Sequence, residues 1–126
     1  MMKLYIFPVA PNPARVVFCG NEKRRVLGEA LNVEAVMVDL SKGEHKTAEF
    51  LKLNPLGTLP VLELDGGKTI NESLAIMEYL EECFPEPCLI GTTSIQRADI
   101  RSVERFIKMN LLLCWFERYA LRHLQP

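Results

Sequence analysis

Asn54-Pro55-Leu56-Gly57-Thr58-Leu59-Pro60-Val61-Leu62 and, shortly after it, Asn71-Glu72-Ser73-Leu74-Ala75-Ile76 carry the most specific local signals in the chain. Pro55, Gly57 and Pro60 exclude regular structure before Val61, because proline lacks an N–H and biases its predecessor away from the α region. Val61-Leu62-Glu63-Leu64 and Lys68-Thr69-Ile70 flank Asp65-Gly66-Gly67, a hairpin-turn signal that makes them antiparallel strands. Asn71-Glu72-Ser73 then opens a helix to about Phe84, with Leu74, Met77, Leu80 and Phe84 near one face. Asn71 or Ser73 would cap it. Pro85-Glu86-Pro87 ends it.

Working back towards the N-terminus, Lys3 to Phe7 reads as a first strand stopped by Pro8. Pro8, Pro11 and Pro13 interrupt the next six residues, and Asn12-Pro13 reads as a helix start with Asn12 at the cap. The helix spans about Ala14 to Leu31, with a break expected near Gly20-Asn21, since each interior glycine costs ~1 kcal/mol relative to alanine. Val33 to Leu40 carries apolar residues on both faces, which predicts a parallel strand buried under helices. Ser41 to His45 is a polar loop and Thr47 to Leu53 a short helix. The predicted architecture is an α/β domain of order βαβ-α-ββα with a mixed four-stranded sheet over residues 1–84. A linker over 85–93 and one long helix, Ser94 to about Leu124, complete the chain.

Composition narrows the function classes. The 126 residues carry 15 Lys plus Arg against 16 Asp plus Glu, a net charge of -1, so no basic surplus predicts a nucleic-acid partner. Arg24-Arg25, flanked by Glu22 and Glu29, reads as a solvated helix face. No stretch approaches the ~20 apolar residues of a membrane span, and Met1 to Pro8 does not resemble a signal peptide. A cytoplasmic protein without a membrane partner is expected. The four cysteines, Cys19, Cys83, Cys88 and Cys114, lack the spacing of a zinc site. They are expected to be reduced thiols, mostly buried, with no metal bound.

The ordered set of Asn54 to Leu62 and Asn71 to Ile76 resembles the thioredoxin-like N-terminal domain of the glutathione S-transferase superfamily. Val38 to His45 and Leu80-Glu81-Glu82 before Phe84-Pro85-Glu86-Pro87 fit the same pattern. The resemblance covers residues 2 to 91, and the stretch beyond looks like the first helix of that family's all-helical domain. It implies glutathione as co-substrate, and a cis bond before Pro60 that turns the backbone of Leu59 towards the cysteine part of the tripeptide. That contact is strand addition in miniature; read from spacing alone, Pro60 simply starts an edge strand. The resemblance further implies that Ser73, at a helix N-terminus suited to an anion, receives the γ-glutamyl carboxylate. Glu72 would shape the pocket beside the amine. His45 aligns with a position that in some branches reaches the glycine carboxylate.

Transfer chemistry needs the glutathione thiol ionised near neutral pH, from an unperturbed ~8.5. In the family a Tyr, Ser or Cys near the end of the first strand does this. Here Ile6 stands in the Tyr position and Ala10 in the Ser or Cys position, and neither donates a hydrogen bond. Tyr5 is adjacent but alternation points it to the other face. The remaining donors are the Asn12 side-chain amide and free N–H groups after Pro13. Two readings remain: a transferase conjugating glutathione to a small hydrophobic electrophile, or a non-catalytic glutathione-binding or interaction module. The Leu111-Leu112-Leu113-Cys114-Trp115-Phe116 run is apolar around a full turn, which belongs in a helix buried on all sides, so either a partner chain covers it or the chain is part of a longer one. The resemblance implies a two-fold homo-oligomer through this helix.

Overall fold

The computed structural model describes residues 1–112, so the apolar run beyond Leu112 and the expected helix end near Leu124 lie outside the described residues. The chain divides into two compact units, one from Met1 to Leu89 and a second that begins at Ile90. Among the described residues no helix is long and apolar enough to cross a membrane.

The first unit is a four-stranded sheet in the order β2-β1-β3-β4, formed by β1 (Met2–Ile6), β2 (Val33–Met37), β3 (Val61–Glu63) and β4 (Thr69–Asn71). β1 runs parallel to β2 and antiparallel to β3, and β3 pairs antiparallel with β4, giving the expected mixed sheet. Leu64 and Lys68 close the hairpin through a 2.8 Å N–H···O bond around Asp65-Gly66-Gly67.

Strand alternation divides the core between two faces. On one, Leu4, Ile6 and Leu62 pack with Val16 of α1 (Pro11–Leu27) and with Ile76 and Leu80 of α3 (Ser73–Cys83). On the other, Val61 packs with Val38 and with Phe50 of α2 (Ala48–Leu53), and Tyr5, Leu53 and Leu59 lie against them. The stripe that α3 buries is Ser73, Ile76 and Leu80, at i, i+3 and i+7, rather than one centred on Leu74 and Met77.

Four local expectations are corrected. α1 starts at Pro11 with Ala10 at the N-cap, so Asn12 lies inside the first turn and caps nothing. It also runs unbroken through Gly20, because ~1 kcal/mol of propensity is small beside the burial of Val16 in the core and the packing of Val17 against it. β2 is not buried on both faces: it sits at the sheet edge with Ala35 and Met37 exposed, since it pairs only with β1. Nor are the thiols of the described residues mostly buried. Cys83 ends α3 and Cys88 lies in the irregular segment after it, both exposed, and Cys19 is half-buried with its thiol pKa pushed up, chiefly by burial.

Lys23 is the least expected core residue. It is fully buried, and its ammonium contacts the Glu81 carboxylate at 2.6 Å, the Phe84 carbonyl at 2.6 Å and the Pro87 carbonyl at 3.1 Å. All three ammonium donors are thereby engaged. Glu81 Oε1 in turn accepts the Leu89 N–H at 2.7 Å. The pair ties α1, α3 and the segment after α3 into one cluster. The neighbouring Arg25 makes only an exposed 3.5 Å contact to Glu22, as a solvated helix face should.

In the second unit, Thr93 and Gln96 form a capping box at the start of α4 (Ser94–Ile107), which begins where the sequence places it. Residues Lys108–Leu112 continue with wider π-type turns.

Candidate functional site

The sheet register brings most of the sequence-derived site residues to one end of the sheet. Tyr5, Val61 and Asn71 are partners across β1, β3 and β4. Ile6 follows Tyr5, Pro60 precedes Val61 and Glu72 follows Asn71, so these three residues stand at the same end of the sheet. Leu59-Pro60, Glu72-Ser73 and the Phe7–Ala10 turn into α1 therefore share this end. β2 is parallel to β1, so the loop after it, carrying His45, emerges there as well.

The bond between Leu59 and Pro60 is cis. Leu59 is half-buried against Val38, Phe50 and Val61, and Pro60 is buried. The turn ahead of them is held by Asn54, which is fully buried. Its Nδ2 donates to both the carbonyl and the hydroxyl oxygen of Thr58 at 2.9 Å, and its Oδ1 accepts from the Leu56 N–H at 3.1 Å. Its backbone carbonyl accepts from the Gly57 N–H at 2.9 Å. Gly57 has φ +62, and a Cβ there would come within 3.1 Å of the His45 carbonyl. Glycine at this position is what lets the turn close against the His45 loop.

At the start of α3, Glu72 occupies the N-cap position with φ 76 and ψ 123, and no side chain caps the helix. A non-glycine residue at positive φ is costly, ~1–3 kcal/mol, and such residues gather at functional sites. Ser73 is 2% exposed, and its Oγ has no hydrogen-bond partner among the described residues. Asn71 Oδ1 and His45 Nδ1 are likewise buried and unpartnered among the described residues. Buried polar atoms without partners are rare in folded proteins. Here three of them belong to residues gathered at the same sheet end.

The α1 terminus offers less. Pro11 and Pro13 carry no N–H, the Ala10 N–H bonds the Phe7 carbonyl, and the Ala14 N–H bonds the Ala10 carbonyl, both at 3.0 Å. Asn12 is left as the one residue of the first turn whose N–H has no partner among the described residues, and it is exposed. The several free amides expected beyond Pro13 are thus reduced to one, because the helix starts two residues earlier. Ile6 is buried in the core, and Tyr5 points to the opposite face, where its hydroxyl donates to Glu63 at 2.7 Å. Burial and the Glu63 carboxylate push the Tyr5 pKa up to about 12, so the phenol stays protonated at neutral pH. It is no thiol-activating group.

Residues 21–83 match the family model described as glutathione S-transferase, N-terminal domain. The chain is 40% identical over 111 residues to glutathione S-transferase 2 of Saccharomyces cerevisiae, covering 88% of this chain and 46% of that protein. It is 33% identical over 108 residues to maleylacetoacetate isomerase of Pseudomonas aeruginosa, covering 84% of this chain and 48% of that protein. Among solved structures, a glutathione transferase homologue from sulfitobacter with bound glutathione superimposes with a TM-score of 0.74 at 26% identity, over 85% of this chain and 48% of its own. This chain spans about half the length of the curated relatives it matches. Family model, relatives and fold agree: the chain belongs to the glutathione S-transferase superfamily, of which it carries the thioredoxin-like N-terminal domain.

Proposed function

We propose that this domain binds glutathione at the sheet end bearing Leu59-Pro60, Glu72-Ser73 and His45, and serves a transferase that joins the thiol to small hydrophobic electrophiles. The observation that carries the reading is the Ser73 hydroxyl at the N-terminus of α3, buried and without a partner among the described residues. A hydroxyl in that position, beside helix amides, suits the γ-glutamyl carboxylate. Leu59 would pair its backbone with the cysteinyl part, and His45 Nδ1–H would face the glycine carboxylate. Support comes also from the sulfitobacter homologue, whose structure holds glutathione. Calorimetric titration of the full chain with glutathione tests the binding step. Saturable heat at millimolar ligand is expected, and its absence refutes the reading.

In the reaction the glutathione thiol gives its proton to solvent, its sulfur attacks the electrophilic carbon, and the leaving group departs with the displaced electron pair. The Asn12 amide is the side-chain donor proposed to stabilise the thiolate. A second reading, a binding module without turnover, is favoured by Ala10 at the α1 N-cap, where a thiol-activating side chain would stand. Ala10→Ser separates the two. A serine there supplies a hydroxyl donor and also a helix cap, and caps are worth ~0.5–2 kcal/mol. The expected outcome is faster conjugation of an aryl halide at unchanged glutathione affinity. No gain in rate would favour the binding module.

Homo-oligomerisation belongs to the same proposal, as does a cytoplasmic location. Ile100, Val103, Phe106 and Ile107 leave an apolar stripe exposed on α4, and exposed stripes of this kind mark interfaces. Sedimentation over a concentration series should give a dimer that Phe106→Glu dissociates. A monomer at all concentrations would overturn this part of the reading.

A further inference from the structure

We propose that Asn54 is a positioning residue for ligand binding: buried beneath the 54–60 turn, it fixes the Leu59 backbone and the His45 loop without touching the ligand. The inference rests on the proposed glutathione site. Every polar atom of the side chain is used locally, Nδ2 on the Thr58 carbonyl and hydroxyl and Oδ1 on the Leu56 N–H. The backbone is used too, with the Asn54 N–H on the Phe50 carbonyl at 3.0 Å and its carbonyl on the Gly57 N–H at 2.9 Å. One residue thus links the end of α2 to both halves of the turn.

The turn holds the groups that the ligand would meet. Thr58, gripped through two oxygens, immediately precedes Leu59, whose N–H and carbonyl are the proposed backbone contacts. Gly57 stands against the His45 carbonyl, so the turn also buttresses the loop that carries His45 Nδ1, which has no partner among the described residues. An asparagine suits the post because a single planar amide both donates twice and accepts. Aspartate keeps the acceptor and loses both donors; leucine loses all three bonds. Pre-organised contacts raise affinity by removing the ordering cost of binding, so a loosened turn should weaken glutathione more than it weakens the fold.

The test uses the full chain and glutathione as the probe. Wild type, Asn54→Ala, Asn54→Asp and Thr58→Val are titrated by calorimetry at a temperature where circular dichroism shows each folded, and amide spectra are recorded without ligand. Expected are a weakening of tenfold or more for Asn54→Ala and Asn54→Asp, and about threefold for Thr58→Val, which keeps the carbonyl bond. The Leu59 and His45 amide signals should move, whereas those of Leu74 to Leu80 stay in place, a pattern that general destabilisation would not give. Wild type that binds glutathione alongside folded Asn54 variants within twofold of it overturns the positioning role and leaves the glutathione reading standing. Wild type that does not bind overturns both. If the Asn54 variants do not fold, Thr58→Val decides: unchanged affinity and unmoved Leu59 and His45 signals overturn the proposal.

Discussion

Lys23→Ala should destabilise the protein by ~3–5 kcal/mol in urea unfolding, because it strands the buried Glu81 carboxylate together with the carbonyls of Phe84 and Pro87. A stability of ~5–15 kcal/mol is usual for a folded domain, so the variant should stand near the limit of folding. Removing both charges in Lys23→Met with Glu81→Leu should cost less than Lys23→Ala alone. The double variant leaves no unpaired buried charge and keeps the volume filled, although the Leu89 N–H and two carbonyls lose their partners. A Lys23→Ala protein within ~1 kcal/mol of wild type would mean that the cluster relaxes or hydrates at little cost, contrary to its full burial. The double-variant cycle measures how much of the loss is the stranded charge and how much the missing tie to the segment after α3.

Ser73→Ala should act in opposite directions on affinity and on stability. In the protein without ligand the hydroxyl is buried and unpartnered among the described residues, so its removal relieves a desolvation cost of ~1–3 kcal/mol. The unfolding midpoint should therefore stay level or rise. Glutathione affinity should fall by ~1.5–3 kcal/mol, the range of a hydrogen bond to a charged group, which is about one to two powers of ten in Kd. Calorimetric titration and urea unfolding of the same preparation check both halves. A loss of stability would show that Ser73 Oγ serves the fold through a contact of its own. An unchanged Kd would remove Ser73 from the binding site.

The two variants probe residues that differ in how far the sequence announced them. Ser73 follows an Asn-Glu pair at a helix start, and both the fold of that segment and the candidate role of the residue were legible from local chemistry and family resemblance. So were the hairpin at Asp65-Gly66-Gly67, the strand order of types and the start of α4 at Ser94, because turn residues, caps and period-two apolar runs act over a few positions. The departure at Ile6 and Ala10 was legible too, since it depends only on which residue stands where.

Lys23 was not legible. In the chain it stands beside Arg24 and Arg25 in a stretch that reads as one charged helix face, and only the docking of α1 on α3 places Glu81 and two carbonyls around its ammonium. The edge position of β2 is similarly tertiary: an apolar strand reads alike at the centre or rim of a sheet, and pairing order decides which. The sequence points to Asn12-Pro13 as the start of α1 because asparagine is a strong cap and alanine a poor one, yet Pro11 fits a first helical position equally well, and the bond from the Ala14 N–H to the Ala10 carbonyl starts the helix there. Asn54 stood at the head of the Asn54 to Leu62 motif, yet its task is invisible there, since a buried amide's partners are fixed by how the turn folds back on it. Local punctuation and apolar period, acting through short-range sterics, determined most of the elements, and the resemblance carried by the Asn54 to Leu62 and Asn71 to Ile76 motifs pointed to the family. Which polar groups end up buried, and whether each finds a partner, was decided only when those elements packed.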